Sequence, residues 1–372
     1  MTALARAAGQ LLSVGFDGPR LPDELRDRIA TSEVGGVMLF RPNIETPVQM
    51  AELVSGIRGA AAEETPCLVA IDQEGGLVQR LRAPLTVWPD MLSVAGAADV
   101  ALTERVGRAL GAELAALGIG WDFAPVLDVH TNPANPVIGN RSFGTTPETV
   151  TAHALAFWRG LRASGLVGCG KHFPGHGDTR TDSHLELPVV DHPMERLRRV
   201  ELAPFAAAAR AGIEAIMTAH VLFPALDPSQ PATLSRAILT GLLRDDLGFR
   251  GVIVSDDLGM KAVADRYPIG ELAVMAVSAG ADVLLIREPA GRQRQAHEAL
   301  VRAAEGDSEL RRRVEESAAR VGALKAACRV GSPIRDPGAL AARLGDAEHT
   351  RLAASFVRID ARSPAASSPV AD

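Results

Sequence analysis

A chain of 372 residues, 47% hydrophobic and 23% charged, is long enough for two average domains or for one large α/β barrel. Its net charge of −6 and its lack of basic runs argue against nucleic acid or an anionic membrane surface as partner. The three widely spaced cysteines (Cys67, Cys169, Cys328) make neither a disulfide framework nor a zinc knuckle, and an aromatic content of 4% is low for gripping a long polysaccharide.

The first ten residues lack the apolar core of a signal peptide, because Arg6 and Gln10 interrupt it, and no run reaches the roughly eighteen apolar residues of a membrane span. The cytoplasm is therefore the expected compartment. From residue 11 onward, short apolar runs alternate with longer amphipathic stretches. Strands are predicted at 11–16, 34–40, 67–72, 120–125, 166–171, 215–220, 251–256 and 281–287. Helices are predicted at 22–31, 46–62, 103–117, 147–163, 193–211, 235–247, 269–279 and 292–305. Several begin at Thr, Ser or an early Pro, and several stop at a glycine such as Gly118, Gly165 or Gly280. The strand runs are almost continuously apolar, as expected of parallel strands covered on both faces. Eight consecutive βα units predict a (β/α)8 TIM-type barrel, and no Gly-x-Gly-x-x-Gly turn follows the first strand to suggest a dinucleotide fold. An amphipathic helix at 311–327 and further helical packing over 337–359 follow. The expected organisation is a barrel over 1–330, a C-terminal helical extension over 331–361 and a disordered Ser/Ala/Pro-rich tail at 362–372.

In such a barrel the chemistry gathers where the strands end at their C-termini, so polar residues that stop an apolar run are the candidates. Strand three ends at Asp72, followed by Gln73-Glu74-Gly75-Gly76 and Arg80; the region after strand four carries Asp128, His130 and Asn140-Arg141-Ser142-Phe143-Gly144. Strand five ends in Lys171-His172, strand six at His220 and strand seven at Ser255-Asp256-Asp257. Asp257 serves equally well as a helix cap, and Asp128 and His130 as groups that support others. His220 is expected to line the site, whereas His153, His192, His297 and His349 fall away from strand ends and read as surface or packing residues. The densest cluster is 171–184, with three histidines, two aspartates and a lysine broken by Pro174, Gly175 and Gly177. A helix cannot form there, and so many ionisable groups are costly to bury without a role.

Lys171-His172-Phe173-Pro174-Gly175-His176-Gly177-Asp178-Thr179, ending in Asp182-Ser183-His184, together with Ser255-Asp256-Asp257-Leu258-Gly259-Met260, resembles glycoside hydrolase family 3. More closely it is similar to the β-N-acetylglucosaminidases of peptidoglycan recycling, and the likeness takes in the segments 71–76 and 140–144. The resemblance implies that Asp256 is the nucleophile of a retaining mechanism and that His184, oriented by Asp182, is the acid and base. It implies that Asp72, Arg80, Arg141, Lys171 and His172 bind the hydroxyls of the terminal sugar, that His176 and Asp178 shape the loop, and that no cofactor or metal is needed. A neighbouring carboxylate favours the imidazolium, so such a histidine can hold a proton near neutral pH and still release it. Gly175 and Gly177 are expected to give the loop the freedom to carry His184 over bound substrate. The expected partner is a small soluble amino-sugar glycoside or muropeptide, with the chain acting as a monomer.

Other readings remain open on the sequence. The same residues would serve a β-glucosidase or a glycoside phosphorylase. A metal-dependent barrel hydrolase would use His172, His176, Asp178, Asp182 and His184, although the first strand ends without a His-x-His pair. A non-catalytic sugar-binding barrel would have no use for Asp256 or for the Asp182-His184 pair.

Overall fold

All eight predicted apolar runs form strands, and they lie side by side in parallel. In the computed structural model, which describes residues 1–183, 185–287 and 289–357, they are β1 (Leu12–Val14), β2 (Gly36–Leu39), β3 (Leu68–Ile71), β6 (Trp121–Asp122), β7 (Val167–Phe173), β8 (Ala215–Thr218), β9 (Val252–Val254) and β10 (Leu284–Ile286). The two missing labels belong to a small antiparallel hairpin, β4 (Gln73–Gly75) with β5 (Val78–Gln79), set on the end of β3. The sheet order is β10-β1-β2-β3-β6-β7-β8-β9, with Val37 opposite Val69 and Ile216 opposite Ile253. A parallel bridge between Val254 and Val283 joins the two outer strands, so the sheet curls into a (β/α)8 barrel.

The barrel interior is packed with side chains. Met38, Ala70, Trp121, Phe123, Cys169, Met217, Val254 and Leu285 form one buried cluster inside the strands. Fully burying a large apolar side chain is worth roughly 1.5–3 kcal/mol, so this interior is a main source of stability. Below it, Val321 and Leu324 of the helix Ser308–Ala327, together with Cys328, pack against the same cluster, and the Cys328 thiol meets the Gly120 carbonyl just before β6. This helix stops the mouth at the N-terminal ends of the strands and leaves the opposite mouth open for a site.

Several predicted helices change shape. The stretch 193–211 divides into Met194–Arg199 and Ala203–Ala211, because Pro204 takes a position in the first turn, where its missing N–H costs nothing. Helical packing over 337–359 consists of Pro337–Ala341 and Ala347–Ala354, with Gly345 between them at φ +57°. An additional N-terminal helix, Ala3–Gln10, is capped by the Thr2 hydroxyl and packs on Ser308–Ala327 and Ala290–Gly306. Among the described residues no helix is long and apolar enough to cross a membrane. The predicted disordered tail at 362–372 lies outside the described residues.

Candidate active site

The open mouth holds a cavity of about 140 Å³, below the roughly 300 Å³ at which pockets for drug-sized ligands begin. Asp72, Arg80, Arg141, Lys171, His172 and Asp256 all line it, brought together from four different strand ends. Its floor is apolar, supplied by the upper interior residues Met38, Phe123, Met217 and Leu285. A small polar ligand with one apolar face fits this division.

One wall is a continuous chain of charge. Lys171, only 2% exposed, reaches Asp72 Oδ1 at 2.7 Å and Glu74 Oε1 at 2.6 Å. Glu74, 1% exposed, also accepts two hydrogen bonds from Arg141, at 2.9 Å from Nε and 2.8 Å from Nη2. Arg80 faces the other Asp72 oxygen at 3.5 Å. Burial by itself would raise the Asp72 carboxyl, but the Lys171 ammonium and the Arg80 guanidinium outweigh it and hold it below the usual carboxylate range. Burial likewise acts against ionisation of Glu74, and Arg141 and Lys171 overcome it. The two carboxylates in turn keep the proton on Lys171 despite its burial. Beneath them, burial pushes the Asp122 carboxyl well above its ordinary range, even though it accepts the Gln73 N–H at 3.0 Å. The wall therefore presents fixed, mutually paired charges above a buried carboxyl whose ionisation its burial disfavours.

A second network ties His172 and the histidine loop to the segment after β6. Asp128 is fully buried and accepts from His172 Nδ1 at 2.7 Å, from the His172 amide at 3.2 Å and from the His176 amide at 2.6 Å. Asn135 donates to the His176 carbonyl at 2.8 Å, and Asn132 donates to the Thr179 carbonyl at 3.0 Å. Asp178 accepts from Thr131 at 2.9 Å and pairs with His192. The His176 ring sits between Thr179 Oγ1 at 2.8 Å and Ser183 Oγ at 3.1 Å, and burial pushes its pKa down to about 4. The first half of the loop is thus clamped at both backbone and side chains.

This geometry gives Gly175 and Gly177 a part in fit, beside the expected one in loop movement. A Cβ on Gly177 would lie 1.9 Å from the Val129 carbonyl oxygen, so only glycine allows the loop to lie this close to the neighbouring segment. Gly175 has φ +139°, a backbone conformation that favours glycine. Both positions serve fit. His192, read as a surface or packing residue, is part of the clamp.

Asp256 follows β9 on the far side of the cavity, and its Oδ1 accepts the Asp257 amide at 2.8 Å. Asp257 Oδ1 accepts from Gly259 at 3.0 Å and from the Arg287 amide at 3.2 Å, so it caps a turn and ties this strand end to β10. His220, expected to line the site, is instead buried behind it, between Thr233 Oγ1 at 2.8 Å and the Asp257 carbonyl at 2.9 Å. Asp182 is half-buried, next to the cavity-lining Ser183. His184 lies outside the described residues.

Three contributors carry no assigned role on the sequence alone: Glu74, which lies inside a motif; Asp128, which reads equally well as a supporting group; and Arg287, the polar residue that stops the eighth apolar run. Arg287 lies over the Phe40 ring, 4.5 Å from its centroid, and forms part of the cavity wall. Among the described residues, no three of His, Cys, Asp or Glu converge as a ligand set for a metal ion.

Residues 3–324 match the model of the glycosyl hydrolase family 3 N terminal domain. The chain is 42% identical over 275 residues to a β-hexosaminidase of Neisseria meningitidis serogroup C, covering 72% of this chain and 75% of the relative. The solved family 3 β-N-acetylglucosaminidase of Paenibacillus sp. str. FPU-7 superposes with a TM-score of 0.88 at 43% identity, covering 95% of this chain and 68% of that one. NagZ from Neisseria gonorrhoeae, solved in complex with N-trifluoroacetyl-D-glucosamine, superposes with a TM-score of 0.69 at 34% identity, covering 85% and 98%.

Proposed function

The chain belongs to glycosyl hydrolase family 3 and is a glycoside hydrolase, and from that premise we propose that it is a retaining exo-β-N-acetylglucosaminidase. Its substrate is a terminal, non-reducing β-linked GlcNAc on a soluble peptidoglycan-derived muropeptide. The observation that carries this reading is the placement of Asp256 across one small cavity from the wall formed by Arg80, Asp72, Lys171, Arg141 and His172. The wall supplies charge-assisted donors and acceptors at fixed positions for the hydroxyls of one sugar ring, which suits an enzyme that removes single terminal residues. The names of its relatives, a β-hexosaminidase and a β-N-acetylglucosaminidase, together with the N-trifluoroacetyl-D-glucosamine bound to the gonococcal one, support GlcNAc as that residue.

In this mechanism the Asp256 carboxylate attacks C1 from the face opposite the leaving group and forms a glycosyl ester, while the imidazolium of His184 protonates the departing oxygen. The neutral His184 then takes a proton from water, which attacks C1 and releases Asp256. Asp182 favours the charged form of His184 and orients its ring. The chain acts as a monomer in the cytoplasm, with one barrel over 1–330 and the remainder as an extension.

Replacing Asp256→Asn is expected to lower turnover of an aryl β-GlcNAc by more than about 10³-fold with the fold intact. Near-wild-type turnover in that variant would remove Asp256 from the mechanism. Wild-type rates on aryl β-GlcNAc against aryl β-glucoside, with and without phosphate, separate hydrolysis of the amino sugar from glucosidase or phosphorylase action.

A further inference from the structure

At the N-terminal mouth of the barrel, away from the sugar site, lies a cavity of about 210 Å³. Cys67, Gly118 and Gly120 line it just ahead of β3 and β6, and Lys325 and Cys328 line it from the end of the stopper helix Ser308–Ala327. Arg58, from the helix Pro47–Ala60, belongs to the same wall. None of the residues lining this cavity is acidic. Arg58 donates to the carbonyl oxygens of Gly118, Val330 and Gly331, and Lys325 Nζ donates to the Gln10 amide oxygen at 2.6 Å. Both cations are thus held by neutral oxygens, which leaves the space between them electropositive.

Lysine is scarce in this chain: of its 39 basic residues only Lys171, Lys261 and Lys325 are lysines. Lys171 belongs to the sugar-facing wall, where two carboxylates keep its proton on, and Lys261 is exposed. Lys325 is half-buried, and burial pushes its ammonium down to about 8. At pH 7.5 about a quarter of such amines are neutral, against about one in a thousand for an ordinary lysine. Burial acts the opposite way on the thiols, raising Cys67 to about 11 and Cys328 above its ordinary value, so the amine is the nucleophile of this cavity. We propose that Lys325 is a site of covalent acylation by a small acyl phosphate, with Arg58 as the group that draws in the phosphate. The Nζ electron pair attacks the carbonyl carbon, an N–C bond forms as the C–O bond to phosphate breaks, and the proton lost by nitrogen leaves with the phosphate as hydrogen phosphate. Arg58 suits the second role because a guanidinium pairs well with phosphate oxygens. The acyl group stays in the cavity, and the amide N–H that remains on Nζ can still donate to Gln10. The modification therefore removes a charge that burial disfavours and keeps the hydrogen bond.

The test treats the intact protein with acetyl phosphate, and separately with the uncharged ester N-acetoxysuccinimide, and follows acetylation of each lysine by peptide mass spectrometry. With both reagents at pH 7.5, Lys325 should react about tenfold or more faster than the exposed Lys261, and its rate should level off above about pH 8. The lead of Lys325 should be larger with acetyl phosphate, and Arg58→Gln should reduce that lead while leaving the rate with the uncharged ester unchanged. Reaction of Lys261 as fast as that of Lys325 overturns the site. An equal lead with both reagents in the wild type overturns the role of Arg58, and this comparison stands even if the variant does not fold. A chain with N-acetyllysine installed at position 325 should melt at a higher temperature than the wild type at pH 7, with the gain shrinking as pH rises toward 10. Melting at or below the wild-type temperature would mean that the cavity does not seat the acyl group, which also overturns the site.

Discussion

At the scale of the residue, the sugar-facing wall is rigid because its buried charges satisfy one another. Glu74 is its pivot, paired with Arg141 and Lys171 at once. Such pre-set groups do not need to reorganise when a ligand arrives, which is the main advantage of charge held out of water. His176 is the neutral counterpart, and its burial makes it a pH-dependent load on the fold. Its folded pKa of about 4 lies below the ordinary 6.5, so as pH falls the unfolded chain takes up the proton first. Its contribution to stability is therefore full above about pH 6.5 and is lost as pH falls toward 4. Burial lowers His130 and His153 in the same direction, so the wild type carries their share as well. Urea unfolding at pH 7 and pH 4.5 should show a smaller loss of stability for His176→Gln than for the wild type; equal losses would contradict the assignment. Asp72, Lys171, His172 and Asp256 were legible in the sequence because each is a polar residue at the end of an apolar run. Glu74 was not, because it lies past the strand in a polar hairpin, and its value comes from Arg141, 67 residues away.

At the scale of the element, the histidine loop is an extension of the barrel rim whose first half is fastened by Asp128, Asn132 and Asn135. Gly177→Ala would drive a methyl group into the Val129 carbonyl, so we expect a loss of about 1–3 kcal/mol in unfolding free energy together with reduced turnover. A variant with wild-type stability and rate would show that the loop does not pack there. The sequence revealed that 171–184 could not be helical, because Pro174 and its glycines forbid it. It did not reveal whether those glycines supply freedom or fit, since that depends on a carbonyl from a different loop. Similar limits explain the β4–β5 hairpin, whose strands are polar and only two or three residues long. The helix Ala3–Gln10 is hard to read from the sequence because it is short and lies ahead of the first apolar run, although Thr2 is a good cap.

At the scale of the whole molecule, the barrel was legible because eight apolar runs recur with helices between them and no dinucleotide-type glycine turn follows the first, which favours closure over an open doubly wound sheet. The role of the helix Ser308–Ala327 as a stopper was not, since amphipathicity identifies an apolar face but not what it covers. Its attachment depends on Asp282, fully buried before β10, which pairs with Arg244, with Arg313 at 2.8 Å and with Arg320 at 3.2 Å, and accepts from Ser317 at 2.9 Å. Removing the carboxylate with Asp282→Ala strands these cations, so unfolding free energy should fall by about 3–5 kcal/mol while the folded fraction keeps its kcat. A stability unchanged from wild type would mean that the helix is held by its apolar face alone. The central claim concerns the opposite mouth, where Asp256 is taken to form a glycosyl ester. The most direct measurement is to trap that ester with a slowly turned-over fluorinated GlcNAc fluoride and to locate the label by peptide mass spectrometry. The account predicts one sugar per chain, on the peptide carrying Asp256 and absent in Asp256→Asn; a label on another residue, or inactivation without any covalent sugar, would contradict it.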